Sequence, residues 1–406
     1  MPKDPILALA DWLKTLLLGW GLAESAVSFI LTLSGVIAVA TFGLLLTIFL
    51  IWLERKVAAR FQGRLGPNRV GPWGIFQTFA DVIKIFTKEH ITPYGVDGFV
   101  YNLAPILSVA AVLLLWAVIP YSETWFGTNL NVGVLYLVAA GALGTLAILM
   151  AGWSSNNKFA LLGAFRTVAQ MVSYEVPMVL ALLVPVLLAG SMGVNDIVKS
   201  QTVIFLMMSP IAALVFFVSS IAEIGRTPFD LLEAESEIVA GFHTEYSGLK
   251  FGMFYVGEFL HAFTISALAA TLFLGGWRGW GAELSPMIGF LWFMLKSFFM
   301  YWVVMWLRST LPRIRIDQML DFNWKLLTPI MLVVLLGTAL VEKLIGGASA
   351  PVLLRVVAHL AMNGLILWGT ALIIRYRAAR QPARRRVVAQ PRPVAVPPKA
   401  PTSAQS

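Results

Sequence analysis

Between Glu223 and Glu237 the chain reads EIGRTPFDLLEAESE, which places five carboxylates (Glu223, Asp230, Glu233, Glu235 and Glu237) in one short stretch of a protein with only 21 Asp and Glu in 406 residues. Thr227-Pro228-Phe229-Asp230 has the order of a helix start: Thr as N-cap, Pro at the first helical position and Asp three residues after the cap. On a helix begun there, Asp230, Glu233 and Glu237 share one face at i, i+3 and i+7, and Glu235 points elsewhere. Like charges so spaced repel, and only Arg226 lies near enough in sequence to compensate. Such a cluster is either a solvated acidic surface that binds a basic partner or a buried group of carboxylates. The surrounding Phe229, Leu231, Leu232, Ile238, Val239 and Phe242 favour burial. Burial raises carboxylate pKa values and suits these groups to exchange protons near neutral pH.

Two further acids, Glu175 in SYEVP and Glu258 in VGEFLHAF, fall within or beside apolar runs. A carboxylate at the centre of a membrane helix costs on the order of 3 kcal/mol, so it is kept either for function or as half of a structural pair. Lys296 and Arg355, also inside apolar runs, are the candidate partners.

The elements that must position these groups are membrane helices. The chain is 58% hydrophobic and 13% charged, against roughly 25% charged for a soluble domain. Several apolar runs reach the roughly 20 residues that a helix needs to cross hydrocarbon, whereas a β-barrel would show short alternating strands. The expected fold class is therefore an all-α integral membrane bundle. Hydropathy places about nine spans, at 30–53, 98–120, 133–152, 167–190, 202–222, 251–275, 286–307, 326–345 and 352–374. Lys and Arg crowd the segments on one side and the C-terminal tail, so that side is cytoplasmic, the N-terminus outside and the C-terminus inside. Residues 1–29 read as a retained amphipathic segment lying on the outer surface. The chain has no Cys, so it forms no disulfide and offers no thiolate to an iron–sulfur cluster. Its four His form no ligand pair.

In the first inner loop, GPN and VGPWG mark two chain breaks, and residues 73–89 then turn helical. Ile75, Phe76, Phe79, Val82, Ile83 and Phe86 form an apolar face. Gln77, Asp81, Lys84 and Lys88 form a polar stripe, which predicts a helix lying in the membrane interface. The fourth inner loop carries Arg313 and Arg315 and then Asp317 and Asp321.

Taken together, ERKVAARFQGRLGPNRVGPWG, FADVIKIFTKE, AEIGRTPFDLLEAESEIVAGFHTEYSGLKFGMFYVGEF and LPRIRIDQMLDFNWK resemble the membrane H-subunit family of bacterial respiratory complex I, the proton-pumping NADH:quinone oxidoreductase. The resemblance runs from about residue 35 to 345. It implies eight transmembrane helices around a quinone tunnel at the junction with the peripheral redox arm, in a bacterial cytoplasmic membrane. Quinone is then the substrate and no cofactor is bound by this chain. NAD, FMN and iron–sulfur clusters belong to partner subunits, and further neighbours are the antiporter-like membrane subunits. By the same resemblance Glu54, Arg55, Arg64, Arg226, Phe229 and Arg313 border the quinone path. Asp81, Glu175, Glu223, Asp230, Glu233, Glu235, Glu237, Glu245 and Glu258 belong to the proton-coupling acids.

The expected organisation is thus an N-terminal segment (1–29), a family core (30–345), an additional C-terminal helix (346–375) and a disordered basic Pro/Ala-rich tail (376–406). The added helix and tail exceed the family core and are expected to be accessory. Two other readings stay open at this level: the equivalent subunit of a membrane hydrogenase or ferredoxin-dependent enzyme, and a stand-alone ion transporter with a carboxylate site.

Overall fold

The computed structural model describes residues 4–231, 239–345 and 351–380. Glu233, Glu235 and Glu237, and the tail beyond residue 380, lie outside them. The described chain is helical: α1 (Pro5–Gly19), α2 (Glu24–Phe61), α3 (Gln77–Thr87), α4 (Gly98–Leu115), α5 (Gly133–Ser154), α6 (Lys158–Ala189), α7 (Val194–Ser200), α8 (Phe205–Met208), α9 (Pro210–Ile224), α10 (Gly248–Phe273), α11 (Pro286–Thr310), α12 (Ile316–Phe322), α13 (Thr328–Ile345) and α14 (Val352–Arg380). A π-helical turn, Asn323–Leu327, makes α12 and α13 one continuous unit. Among the described residues, eight helices are long and apolar enough to span a membrane.

Helix α10 is the axis of the bundle: 78% of its apolar window is buried, against 11% for α14 at the periphery. Around it pack α2, α4, α9 and α11, while α6 lies against α5, α9 and α13. Without a hydrophobic force between helices in lipid, close approach rests on small residues. At Gly163 of α6, for example, an added Cβ would lie 2.8 Å from the backbone of Gly241 in the third inner loop. That contact seats the inner loop on the bundle.

Three sequence expectations are corrected. The fifth span, 202–222, is not one helix: it breaks between α8 and α9 at Ser209-Pro210. Pro210 has no N–H and its ring would clash with the preceding turn, a constraint that hydropathy does not register. The 15-residue α9 reaches only about 22 Å. Second, α2 does not stop at residue 53 but continues to Phe61, because charged residues with good helix propensity do not end a helix. Glu54 and Arg55 therefore stand on a rigid helix rather than in a loop. Third, Thr227–Leu231 is a turn, closed by the Phe229 amide donating to the Arg226 carbonyl (2.9 Å), and not the first turn of a helix.

The first inner loop follows its reading closely. Beyond a 3₁₀ turn (Pro72–Gly74), α3 leaves Ile75, Phe76, Phe79, Ile83 and Phe86 exposed on the outer face, and its Asp81 turns toward α2.

The added C-terminal helix is tied to the bundle by buried polar contacts. Glu342 Oε1 of α13 receives Arg355 Nη2 (2.7 Å) and His359 Nε2 (2.9 Å) from α14. Asn363 Nδ2 donates to the carbonyl of Met208, next to the Ser209-Pro210 break (3.1 Å). Removing one member leaves a buried charge unpaired, at a cost of about 3–5 kcal/mol. Arg355→Ala is thus expected to lower the thermal midpoint of the detergent-solubilised chain clearly, and Arg355→Ala/Glu342→Gln to recover much of that loss. Equal midpoints for Arg355→Ala and the unmodified chain would show that the contact carries no stability.

Candidate functional site

The site starts at the end of α9. Gly225 adopts φ +72°, a conformation that glycine reaches without the strain a Cβ brings. Its amide donates to Ala222 O (3.2 Å), and the Arg226 amide donates to Ile221 O (3.3 Å). This pair of bonds is a Schellman stop. It sets the Arg226 cation just past a helix C-terminus, where the dipole favours positive charge. Gln170 of α6 secures the turn from behind. Its Nε2 donates to Ala222 O (2.6 Å) and Phe229 O (2.8 Å), and the Ile314 amide donates to Pro228 O (3.0 Å).

So placed, the buried Arg226 side chain joins two carboxylates from different helices. Its Nη1 donates to Glu54 Oε1 of α2 (2.9 Å), its Nε pairs with Glu258 Oε1 of α10 (3.0 Å), and its guanidinium lies 4.7 Å from the Phe259 ring centroid. The planar guanidinium offers separate, directed donors, which lets one side chain serve both acids. Glu54 is itself saturated: Oε1 also meets Arg308 Nη1 of α11, and Oε2 accepts from the Tyr301 hydroxyl of the same helix (3.1 Å).

This cluster faces a cavity of about 70 Å³, whose wall includes Glu223, Arg226, Asp230, Glu258, His261 and Arg308. A water molecule needs roughly 10–15 Å³ of such space, so the cavity suits a few waters and not a ring-bearing ligand. A second cavity of about 30 Å³ lies deeper. It shares Leu115, Gly141, Glu223 and His261 with the first and adds Glu175. The acids Asp230, Glu258, Glu223 and Glu175 therefore line two adjoining cavities, the outer one partly polar and the deeper one walled mainly by Leu, Met, Phe, Ile and Val side chains.

Other residues singled out from sequence lie outside these walls. Arg55 pairs with Asp81 on the inner surface (2.5 Å), with Lys84 also near Asp81 (3.9 Å). Arg64 is exposed and donates to Gln62 Oε1 (2.6 Å). Phe229 is buried with its ring against Tyr174 (5.3 Å between centroids). Glu245 accepts from Asn157 Nδ2 (2.5 Å). Arg313 is half-buried in the fourth inner loop. Sequence reasoning gave no site role to Tyr301, Arg308, Phe259, Gln170 or His261. Tyr301 and Arg308, seven residues apart, share a helix face, and that spacing was the available signal.

Residues 34–339 match a family model described as NADH dehydrogenase. A protein named as the H subunit of NADH-quinone oxidoreductase from Dehalococcoides mccartyi (strain CBDB1) is 50% identical over 289 residues, covering 71% of this chain and 80% of that protein. Proteins of the same name from Carboxydothermus hydrogenoformans and Bacteroides thetaiotaomicron are 46% and 44% identical, over 82% and 81% of this chain and 95% of each relative. The chain belongs to the NADH-quinone oxidoreductase H-subunit family. Glu54, Arg226, Glu258, Tyr301 and Arg308 all fall inside the matched region, whereas Glu342 and α14 lie beyond it. The polar centre thus lies within the matched family region, and the Glu342 contact joins α14 to the end of α13 just beyond it.

Breaking the centre has a direction that distinguishes charge pairing from packing. Arg226→Ala takes this cation from Glu258 and leaves Glu54 with Arg308, and is expected to cost about 3–5 kcal/mol. Arg226→Ala/Glu258→Gln should recover part of that loss while keeping the Glu54–Arg308 pair. The readout is the temperature at which the subunit leaves the purified complex. A double variant less stable than Arg226→Ala would assign the arginine's worth to packing on Phe259.

Proposed function

We propose that this subunit, with its neighbours in the oxidoreductase, borders the passage where quinone is reduced, and that its buried acids couple that reduction to proton translocation. The observation that carries the reading is Arg226, held between Glu54 and Glu258 in the wall of a cavity that adjoins a second, deeper one through Glu223 and His261. Reducing a quinone to quinol takes two electrons and two protons. Electrons arrive from partner subunits that hold the NAD, FMN and iron–sulfur chemistry, in keeping with a chain that has no Cys to ligate a cluster.

On this reading the chain forms the quinone tunnel at its junction with the peripheral arm. Arg55, Arg64, Arg226, Phe229, Arg313 and Glu54 then border that path, together with a peripheral-arm partner. Guanidinium groups there stay charged and favour the negative charge that develops on a quinone oxygen. Neighbouring carboxylates respond to that charge as a coupled set, since each gain or loss of a proton shifts the others. Glu223, Asp230 and Glu258 form the centre of this set on our reading, and the sequence pattern adds Glu233, Glu235, Glu237, Glu245 and Asp81 to it. Glu175 carries the change into the membrane toward the antiporter-like subunits. The concentration of Lys and Arg in the inner loops supports a multi-pass protein of the bacterial cytoplasmic membrane with its N-terminus outside and its C-terminus in the cytoplasm.

Asp230→Asn/Glu233→Gln/Glu237→Gln keeps size and most hydrogen bonding while removing charge. The assembled variant complex is expected to oxidise NADH with a hydrophilic artificial acceptor at the normal rate and to lose most coupled quinone reduction or its proton gradient. Normal turnover with a normal number of protons per quinone would return these acids to the role of a docking surface.

A further inference from the structure

His261 stands on α10 one turn beyond Glu258, and its side chain contributes to the walls of both cavities. Glu223 is the other titratable residue common to the two. No hydrogen bond or ion pair joins His261 to a described residue, so neither ring nitrogen is committed to one. The opposite wall is Gly141 of α5, where an added Cβ would lie 3.8 Å from Glu223 Oε1, so no side chain fills the space in front of the carboxylate. Histidines kept inside a protein for structure spend their ring nitrogens on backbone or side-chain partners. This one instead faces an outer cavity with room for a few waters and a deeper, mainly apolar one in which Glu223 and Glu175 are the other ionisable groups.

From this placement we infer that His261 is a proton-relay residue at the neck between the two cavities. The inference rests on the proton-coupling reading above and adds a group to it. A neutral imidazole accepts a proton at one ring nitrogen from the protonated carboxyl of Asp230 or Glu258, directly or through a water of the outer cavity that the carboxyl reprotonates. The imidazolium then releases the proton on its other nitrogen to the Glu223 carboxylate. The ring is neutral again, and it returns to its starting tautomer by turning over, since the reverse transfer would undo the relay. A carboxylate has to rotate to pass a proton onward, whereas the two imidazole nitrogens already face opposite ways. The neck would therefore conduct without a continuous file of water. The charged and titratable groups that bear on His261 are Glu258 on its own helix, Glu223 of α9, Glu175 of α6, Arg226 and Asp230 of the turn, His243 of the third inner loop and Arg308 of α11.

The test uses the whole complex reconstituted in vesicles, with His261→Asn, His261→Gln and Glu223→Gln. His261→Asn keeps a polar side chain at the neck and cannot relay a proton. It should leave the quinone KM and artificial-acceptor activity unchanged. The rate of coupled quinone reduction should fall on the order of a hundredfold, the low end for a positioned proton-transfer group, and the rate–pH profile should lose one titration step. If His261→Asn does not assemble, His261→Gln is judged by the same criteria. A normal rate, a normal count of protons per quinone and an unchanged pH profile in the histidine variant overturn the relay. Glu223→Gln separates the two levels. If it is impaired while the histidine variant is normal, only the relay fails; if both are normal, the proton-coupling reading fails with it.

Discussion

The buried arginine at the end of α9 is the constraint on which the rest of the inner half of the molecule depends. Arg226 holds Glu54 of α2 and Glu258 of α10 at once, and Glu54 in turn engages Tyr301 and Arg308 of α11. Four helices thus meet in a single polar knot whose centre, Arg226 and Glu54, is buried, while Glu258 and Arg308 at its edge keep part of their surface exposed. A charge taken out of water costs several kcal/mol unless it is paired and hydrogen-bonded. The arrangement is consequently stable only when every member is in place, and this ties the relative positions of α2, α9, α10 and α11 to one another.

That requirement explains features that look unrelated. The positive φ of Gly225 ends α9 where Arg226 must turn inward. The extension of α2 past the expected membrane boundary delivers Glu54 on a rigid element. Gln170 spends both hydrogens of its amide nitrogen on backbone carbonyls of the turn. Each of these fixes backbone, and together they hold the cavity wall in place. Further from the knot the same logic recurs at smaller scale. Glu342 is matched by Arg355 and His359, which gives the added helix α14 a defined seat despite its largely lipid-exposed surface.

The line of cavities follows from how acids and small residues are distributed over different helices. Glu223, Glu258 and Glu175 come from α9, α10 and α6, and Gly141 of α5 leaves room in front of Glu223. In a low-dielectric interior such groups interact over longer distances than in water, so a charge arriving near Arg226 is felt along the line.

The sequence by itself determined the helical membrane class, the approximate spans, the apolar face of α3 and the family. These depend on composition, on 3.6-residue periodicity and on motifs local in the chain, and they survive whatever the helices pack against. It also singled out Glu223, Asp230, Glu258 and Glu175 as acids out of place in an apolar chain. What only the tertiary structure decided is which of these meet. The partners of Arg226 are separated from it by 172 residues at Glu54 and by a helix boundary at Glu258. Periodicity carries no information about that pairing. The break at Pro210, the turn at Thr227–Leu231 and the placing of His261 between two cavities likewise result from competition between local preference and packing. A short polar stretch such as TPFD satisfies a helix-start pattern equally well whether its backbone is free to coil or is held by Gln170 and Ile314. Only the surrounding helices settle which of the two occurs.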